Sequence, residues 1–272
     1  GVVESPGWRV VSCPAAAGGT LRKALYTQLA LPGLVRRLGG DLLHSLQFVA
    51  PLRLAVPSVV TVHDLTYHRF GETIEQPRRA YYRWFVPRSL QRAAAIVTNS
   101  AATARDVVRL WPELEQRVSV TPFGTPSWIH DAAARDAEGA GRGAGRGAGR
   151  NGPPGHQRSH GGDRSADPYL LFVGTLEPRK NLEGLLRAYE RLLAEARAGR
   201  HGPDPVPVLR LIGARGWKDS DLRRQLAPLV TAGTVQVLDY CGPDALYQHY
   251  RSARALLLPS HHEGFGFPIL EA

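Results

Sequence analysis

The sequence predicts an α/β protein with two domains, and two observations carry that prediction. Short apolar runs alternate with helical stretches in both halves of the chain, which is typical of parallel sheets with crossover helices. A segment of different composition separates the halves, and 272 residues are more than one ordinary domain needs. We therefore expect two α/β units joined by a loose segment, with a cleft between them as the natural ligand site.

The first half of the chain is predicted to hold five strands and three helices. Apolar residues recur at helical spacing over 21–38 and 75–93, with arginine at other positions. Ser100 is well placed as the N-cap of a third helix over 101–110. These elements form an N-terminal domain over residues 1–131. Its strands are expected over 9–13, 41–46, 58–63, 94–99 and 117–122.

Residues 132–167 form a segment of abruptly different composition, with Gly-Arg-Gly-Ala-Gly-Arg repeats and almost nothing apolar. Such a segment cannot bury enough surface to offset the entropy of ordering it, so we predict a disordered linker. An Arg-Gly-rich stretch can also bind RNA, but this one lacks the aromatic residues that would stack on bases. The linker is therefore the preferred interpretation, and RNA binding is the alternative.

The second half, residues 168–272, is predicted to be another α/β domain. A nearly continuous apolar strand over 169–174 is followed by an amphipathic helix over 182–196. The further elements are strands over 208–212, 235–238 and 255–258, and helices that begin at Asp219 and at Pro243.

Composition and charge limit the classes of function. No run reaches the roughly 18 apolar residues of a membrane-spanning helix, and the start lacks the pattern of a secretory signal. Cys13 and Cys241 have no paired spacing, so neither a disulfide framework nor a metal site is predicted, and a reducing cytoplasm fits best. The net charge of +10 implies attraction to nucleic acid, an anionic membrane or a diphosphate-bearing substrate.

The ends of the sequence lead to a further expectation. The chain contains no Met, and it stops where a predicted helix has barely begun. We expect it to be a fragment in which the start of the first domain and the end of the second are missing.

The run from Glu263 to Glu271 is the most informative part of the sequence. A predicted strand ends just before it, a turn with two glycines follows, and Pro268 suits the first position of a helix. Carboxyl ends of parallel strands that lead into helix N-termini bind phosphates, and glycines let backbone N–H groups approach an anion. The first carboxylate can accept hydrogen bonds from sugar hydroxyls, and the second from a ribose diol.

This run resembles the signature of family 4 glycosyltransferases, in which seven residues separate two glutamates. The resemblance implies the GT-B fold, with two Rossmann-like domains that face each other across a cleft. It also implies a retaining transfer from a nucleotide diphosphate sugar, which is a substrate, with no metal or other cofactor. Glu263 would hold the sugar hydroxyls and Glu271 the ribose. The turn would present backbone donors to the nucleotide sugar from Gly264, Phe265, Gly266 and Phe267.

Residues 172–182 resemble the first strand and loop of the family's C-terminal domain. There a basic pair, matched by Arg179 and Lys180, neutralises the donor diphosphate, and Gly174 and Thr175 would lie beside the donor. Preorganised cations stabilise the charge that builds on the leaving oxygen. Many relatives have Arg directly after the glycine, where this chain has Thr175, so Arg179 is expected to supply that charge. The variant with Thr175 looks most like mannosyltransferases of polysaccharide assembly, which makes GDP-mannose the first candidate donor.

Three further segments match the family. His63 and Asp64, at the end of a predicted strand, resemble its His-Asp pair, in which the histidine contacts the transferred sugar near its reacting carbon. Asp64 can simply cap the following turn. The loops over 213–216 and 239–242, the second with Tyr240 and Cys241, match positions that approach the nucleobase. Ordinary strand-to-helix loops explain these two segments equally well.

The predicted helix over 75–93 has two explanations. Five arginines interleave with two tyrosines, a tryptophan and a phenylalanine, and such a helix can rest on an anionic bilayer. A core helix with a solvated arginine face explains the same pattern and is favoured.

The sequence as a whole predicts a retaining hexosyltransferase of glycan, polysaccharide or glycolipid assembly. It would move a hexose, with mannose the first candidate, from a nucleotide diphosphate sugar to a hydroxyl of a glycan or lipid-linked acceptor. The expected location is the cytoplasm, with peripheral contact to the inner membrane face as an option. The alternatives are a GT-B-like binding protein without activity and, less favoured, an RNA-binding protein; nucleic acid is not an expected partner.

Overall fold

The computed structural model describes residues 2–5, 7–11, 19–69, 71, 76–143, 169–214 and 220–272. The chain divides into two compact units. The first comprises Gly1–Phe123 with Glu263–Phe265, and the second comprises Gly124–His262 with Gly266–Ala272. This division falls before Gly124, earlier than the predicted domain boundary after residue 131.

The first unit contains a parallel sheet of four strands in the order β3-β4-β5-β6. Its described elements are β1 (Val2–Ser5), β2 (Trp8–Val11), α1 (Thr20–Leu25), a π-helical turn (Tyr26–Ala30), α2 (Leu31–Arg37), β3 (Leu43–Ser45), β4 (Ser58–Val62), α3 (Thr66–Arg69), α4 (Gln76–Arg92), β5 (Ala95–Thr98), α5 (Ala101–Leu110), a 3-10 helix (Pro112–Arg117) and β6 (Val118–Val120).

The prediction of a parallel strand over 9–13 is wrong. The described part of this segment, β2, pairs antiparallel with β1 in a separate two-stranded sheet. Gly7, with φ of 80°, lies between the two strands, and a glycine adopts this left-handed backbone at little cost. The chain can therefore turn back on itself at once, and the hairpin forms instead of a crossover.

The core of the first unit lies between β4 and the helices that cover it. Val60 and Val62 are fully buried and pack with Val86 and Leu90 of α4. Ser100 caps α5 as predicted, because its extended backbone lets Oγ accept a hydrogen bond from the N–H of Thr103 at 3.0 Å.

The second unit contains another parallel sheet of four strands, in the order β10-β7-β8-β9. Its described elements are α6 (Ser127–Gly143), β7 (Tyr169–Val173), a 3-10 helix (Pro178–Lys180), α7 (Leu182–Arg197), β8 (Val208–Ile212), α8 (Ser220–Thr231), β9 (Val235–Leu238), α9 (Pro243–Ser252), β10 (Ala253–Leu256) and α10 (Phe267–Glu271). The predicted strand over 255–258 therefore begins and ends two residues earlier.

Both faces of this sheet are covered, as the apolar strands predict. On one face α7 and α8 pack on Phe172, Leu209 and Leu211. On the other face Tyr169 and Leu171 pack with Tyr250 of α9 and with Trp128 of α6.

The predicted linker over 132–167 is wrong in its first part, because α6 continues to Gly143. Alanine favours a helix, and Ala132 is buried against the unit. Two ion pairs join α6 to α9, one between Arg135 and Asp244 and one between Asp136 and Arg251. Tertiary contacts thus order a stretch whose composition suggested none. Residues 144–167, the rest of the predicted linker, lie outside the described residues.

Candidate active site

The loop after β7 is held by a close crossing of two glycines at the end of the sheet. A β-carbon on Gly213 would lie only 2.1 Å from the carbonyl oxygen of Gly174, so no larger residue fits there without a backbone shift. The two glycines have φ of 154° and 149°, where side chains are rarely found. The Gly174 N–H donates to the Ile212 carbonyl at 2.9 Å, which ties the loop to β8.

Lys180 lies against this crossing. Its side chain is only 7% exposed, and a β-carbon built on Gly174 would lie 3.6 Å from its Cε and 3.8 Å from its Nζ. Lysine side chains are rarely this buried in folded proteins. The ammonium group is therefore positioned beside bare backbone at the carboxyl end of β7, an arrangement that suits a phosphate.

Arg179 connects the same loop to the segment that leads into Glu263. Its Nη2 contacts Oε1 of Glu177 at 2.5 Å, and its Nη1 donates to the carbonyl of His262 at 3.1 Å. The N–H of His261 in turn donates to the carbonyl of Arg179 at 3.0 Å. The structure places Arg179 in the predicted loop, and these contacts give it a role in holding that loop together. Its contact with a diphosphate stays a prediction.

Asn181 reinforces the connection from the next position. It has a left-handed backbone, with φ of 55°, and its Nδ2 donates to the Pro259 carbonyl at 3.1 Å. A β-carbon on Gly184 would lie 2.5 Å from Asn181 Oδ1, so a larger residue there would displace the Asn181 side chain. Sequence reasoning did not single out Asn181. Its position directly before a helix, where asparagine is a favoured cap, was the available signal.

His63 is held in the first unit by rings and by the backbone. Its ring stacks on Phe123 with centroids 5.7 Å apart, and Nε2 lies 2.9 Å from the carbonyl oxygen of Leu46. Asp64 Oδ1 accepts a hydrogen bond from the N–H of Thr66 at 2.9 Å, which confirms the turn-capping explanation.

Residues 263–265 of the signature pack within the first unit beside His63. A β-carbon on Gly264 would lie 2.2 Å from the carbonyl oxygen of His63. The Gly264 carbonyl accepts hydrogen bonds from the hydroxyls of Ser100 and Thr103. The ring of Phe265 meets Phe123 edge to face. His63, Gly264 and Phe265, three predicted site residues, are therefore neighbours, and Glu263 beside them is half-buried.

The end of the signature lies on α10. Gly266 caps this helix with φ of 89°, and Pro268 occupies its first turn as predicted. Glu271 accepts a hydrogen bond from the hydroxyl of Tyr250 at 2.6 Å. Burial, and then the hydrogen bond and the charge of Glu271, raise the pKa of Tyr250. Sequence reasoning missed Tyr250, since nothing in the sequence pairs residues 250 and 271.

The remaining predicted residues are less constrained. Thr175 and Phe267 are exposed, and Tyr240 is exposed at the end of β9. Cys241 is half-buried, and burial raises the pKa of its thiol. Residues 215 and 216 of the predicted base-binding loop lie outside the described residues.

The described residues hold neither a metal-binding cluster nor a membrane-spanning helix. No group of three or more His, Cys, Asp or Glu is arranged to hold a metal ion there. No described helix has both the length and the apolar character needed to cross a membrane.

Both units match sequence models of glycosyltransferases. Residues 3–126 match the family described as Glycosyltransferase Family 4, and residues 156–272 match the one described as Glycosyl transferases group 1. The chain belongs to the family 4 glycosyltransferases. Among its relatives is the O-antigen chain mannosyltransferase B of Escherichia coli, which is 30% identical over 230 residues, covering 84% of this chain and 53% of that protein.

Two other relatives of the chain differ from each other in their stated activities. The serotype-specific mannosyltransferase WbdA of Escherichia coli is 28% identical over 78% of the chain and 24% of its own length. The D-inositol 3-phosphate glycosyltransferase of Acidothermus cellulolyticus is 29% identical over 82% of the chain and 46% of its own length. The chain thus spans about half, or less, of these curated relatives.

Solved structures show that the chain has the GT-B fold. Sucrose-phosphate synthase from Thermosynechococcus elongatus matches 99% of the chain and 64% of its own length, with a TM-score of 0.60 and 21% identity. The catalytic domain of starch synthase IV from Arabidopsis thaliana matches 93% and 60%, with a TM-score of 0.56 and 14% identity. At these identities the likeness concerns the fold alone.

Proposed function

We propose that the protein moves a hexose from a nucleotide diphosphate sugar to an acceptor hydroxyl with retention of configuration. The buried Lys180 beside the Gly174–Gly213 crossing is the observation that carries this proposal. A diphosphate leaving group needs fixed positive charge where water is excluded, and bare glycine backbone lets phosphate oxygens come close. Family membership adds the class of reaction, and the loop geometry supports the place at which the donor binds.

The predicted residues divide the work of this reaction. Lys180 and Arg179 hold the diphosphate, with Gly174 and Thr175 beside it and backbone donors of Gly264, Phe265, Gly266 and Phe267 around the nucleotide sugar. Glu263 binds the sugar hydroxyls, Glu271 the ribose, and the loop with Tyr240 and Cys241 approaches the base. His63 contacts the sugar near the reacting carbon.

The chemical step needs no nucleophile from the protein. The bond between the anomeric carbon and the leaving phosphate oxygen breaks, while a bond from that carbon to the acceptor oxygen forms on the same face. The acceptor's proton passes to the departing phosphate oxygen, so charge and atoms balance. We propose that no metal is required, and EDTA is then expected to leave the rate unchanged.

Mannose is the sugar that we propose, with GDP-mannose as the donor and a glycan or lipid-linked acceptor. The support is that two E. coli relatives carry mannosyltransferase names, one of them 30% identical over 84% of this chain. Other relatives carry the name of D-inositol 3-phosphate glycosyltransferase, so the donor has to be tested directly.

The deciding experiment is a donor panel with the natural full-length protein. GDP-mannose, GDP-glucose, UDP-glucose and UDP-N-acetylglucosamine are supplied, and both slow hydrolysis and the anomeric configuration of products are followed by NMR. We expect GDP-mannose to be used best and the configuration to be retained. An inverted product would refute the retaining mechanism, and preference for another donor would refute the sugar.

A pair of variants separates an enzyme from a binding protein. Glu263→Ala is expected to lower transfer by about 10³-fold, because contacts made mainly in the transition state are lost. Glu190→Ala, at an exposed position of α7, serves as the matched control. A wild-type protein that binds nucleotide sugars but shows no turnover would favour the inactive GT-B-like alternative. RNA binding without nucleotide-sugar binding would favour the alternative of an RNA-binding protein.

We also propose that the first unit rests on an anionic membrane. Residues 19–40 contain four basic and no acidic residues, and residues 76–93 contain five basic and no acidic ones. α1 packs against α4, so the two segments are neighbours in the fold. Leu21 and Leu29 are 73% and 74% exposed there, and the exposed Trp84 carries the Arg88 guanidinium 4.1 Å from its ring centroid. Apolar and cationic groups together suit the interface of an anionic bilayer.

This surface can be tested with vesicles of stated composition. Binding to phosphatidylglycerol vesicles is expected to exceed binding to phosphatidylcholine vesicles and to weaken with salt. Arg22→Glu with Arg83→Glu should reduce it by about tenfold or more, since each basic residue near the surface contributes about 1 kcal/mol. Arg191→Glu with Arg200→Glu, at exposed positions of the second unit, is the control. An equal loss of vesicle binding in both double variants would refute the proposed membrane contact.

A further inference from the structure

We propose that Tyr250 is a positioning residue that orients the carboxylate of Glu271 for the ribose of the nucleotide. This inference rests on the proposed function, which gives Glu271 its ribose contact. The hydroxyl of Tyr250 donates to Glu271 Oε2 at 2.6 Å, the length typical of a hydrogen bond from O–H to a carboxylate.

The ring of Tyr250 is fixed from behind. It is only 8% exposed and belongs to the core cluster with Tyr169, Leu171 and Ile212, on one face of the sheet. Its hydroxyl therefore approaches Glu271 from a rigid base. Burial and the neighbouring Glu271 raise the pKa of Tyr250, so the phenol keeps its proton and remains a donor.

Glu271 itself lies on a helix that needs such support. α10 has five residues and none of them is buried, and Ile269 on it is largely exposed. A carboxylate has about four acceptor sites on two oxygens. A donor fixed on Oε2 sets the plane of the carboxylate and leaves Oε1 able to accept from a vicinal diol. Without Tyr250, the carboxylate would have to be ordered by the nucleotide at the cost of binding free energy.

The experiment compares ribose and dideoxyribose nucleotides, and it needs no turnover. Binding of GDP and UDP and of their 2′,3′-dideoxy counterparts is measured by calorimetry for the natural full-length protein, Tyr250→Phe, Glu271→Gln and the double variant. We expect Tyr250→Phe to weaken binding of the ribose nucleotide by about 3- to 10-fold, as the typical net contribution of one intramolecular hydrogen bond implies. Binding of the dideoxy nucleotide should change less than twofold. The double variant should resemble Glu271→Gln alone, because the two residues act through one contact.

Tyr189→Phe is the matched control for stability. Tyr189 is also buried in the same unit, and its hydroxyl lies within hydrogen-bond distance of the carbonyl oxygens of Pro207 and Thr234, at 2.9 and 2.8 Å. This variant should lower the unfolding temperature without changing the preference for ribose.

The possible failures are distinguishable. If Tyr250→Phe weakens both kinds of nucleotide equally, or adds fully to Glu271→Gln, the assignment of Tyr250 is refuted. If the wild-type protein binds ribose and dideoxyribose nucleotides equally well, Glu271 does not hold the ribose and the inference falls with that role. If no nucleotide diphosphate binds at all, the proposed function is refuted.

Discussion

The loop after β4 in the first unit and the loop after β7 in the second both leave an interior strand of a four-stranded parallel sheet. Each is packed against a glycine that admits no side chain. A β-carbon on Gly264 would lie 2.2 Å from the His63 carbonyl oxygen, and one on Gly213 would lie 2.1 Å from that of Gly174. The same packing thus fixes two loops in the same kind of place.

The side chains on the two loops differ in kind. His63 is surrounded by the rings of Phe48 and Phe123, whereas the second loop carries the cations Arg179 and Lys180. Rings suit the face of a sugar, and cations suit a diphosphate. The difference teaches that the sheet supplies the position and the loop supplies the chemistry.

Removing the positive charge of Lys180 from the second loop should have the largest effect on activity. Lys180→Met keeps the volume of the side chain but removes the ammonium group. We expect kcat/KM for the donor to fall by about 10²- to 10³-fold, as for loss of a preorganised charge at a developing anion. Donor hydrolysis without membranes is the measurement, and Lys23→Met, at an exposed position of α1, is the control. If kcat/KM for the donor falls by less than fivefold, the Lys180 ammonium group is not what distinguishes the second loop from the first.

Breaking the glycine crossing should affect stability most. Gly213→Ala places a methyl group 2.1 Å from the Gly174 carbonyl oxygen at a φ of 154°, so the backbone must shift. We expect the free energy of unfolding to drop by about 2–3 kcal/mol, the size of a strained backbone combined with overpacking. Urea unfolding measures this. Gly124→Ala, which meets no atom within 4 Å, should change little. If Gly213→Ala and Gly124→Ala unfold at the same urea concentration, the close packing of Gly213 on Gly174 does not stabilise the fold.

Changing the aromatic loop should have a smaller effect of a different kind. His63→Phe preserves the stacking on Phe123 but loses the polar contact with Leu46. We expect kcat to fall by about tenfold, equivalent to about 1.4 kcal/mol of lost polar interaction, while donor affinity stays within twofold. Donor titrations at steady state separate the two. If His63→Phe weakens donor binding as much as Lys180→Met does, both loops bind the same part of the donor.

The smallest expected effect concerns pH and a histidine outside both loops. Burial, and then the charge of Arg210, lower the pKa of His249. Below pH about 6.5 the unfolded chain takes up a proton that the folded state resists, so stability falls as the pH is lowered, while above that value the residue contributes no slope. His249→Gln should therefore flatten the loss of unfolding temperature between pH 7.5 and pH 5. His201→Gln is the control, and an equal slope in both variants would contradict the assignment.

Much of this architecture follows from the sequence. Continuous apolar runs predict the strands of the second unit well, because strands covered on both faces need no polar residues. Ser100 is predicted as a cap from its type and place, and its hydrogen bond confirms it. Family 4 membership follows from the signature, and the fold comes with it.

The rest depends on contacts that sequence patterns do not encode. The turn at Gly7 decides between a hairpin and a crossover, and α6 is ordered by charges on a helix more than 100 residues away in sequence. Arg179 is recognisable as a basic residue, but its contact with Glu177 arises from the turn of the loop. Tyr250 on α9 and Glu271 on α10 are 21 residues apart in sequence and meet only through the tertiary fold. The individual roles of the site residues stay predictions.

The ion pairs between α6 and α9 also have a consequence for how the chain is partitioned. Arg135 and Asp136 are adjacent and of opposite sign, and each meets its complement on α9, Asp244 for the one and Arg251 for the other. Sliding either helix by one turn would separate both ion pairs, so the two pairs together favour a single alignment of α6 and α9. A protein that begins just before β7 would lose both ion pairs and would also lose the indole of Trp128 from its core. A second unit produced on its own should therefore begin at Gly124, ahead of the glycine-rich repeats.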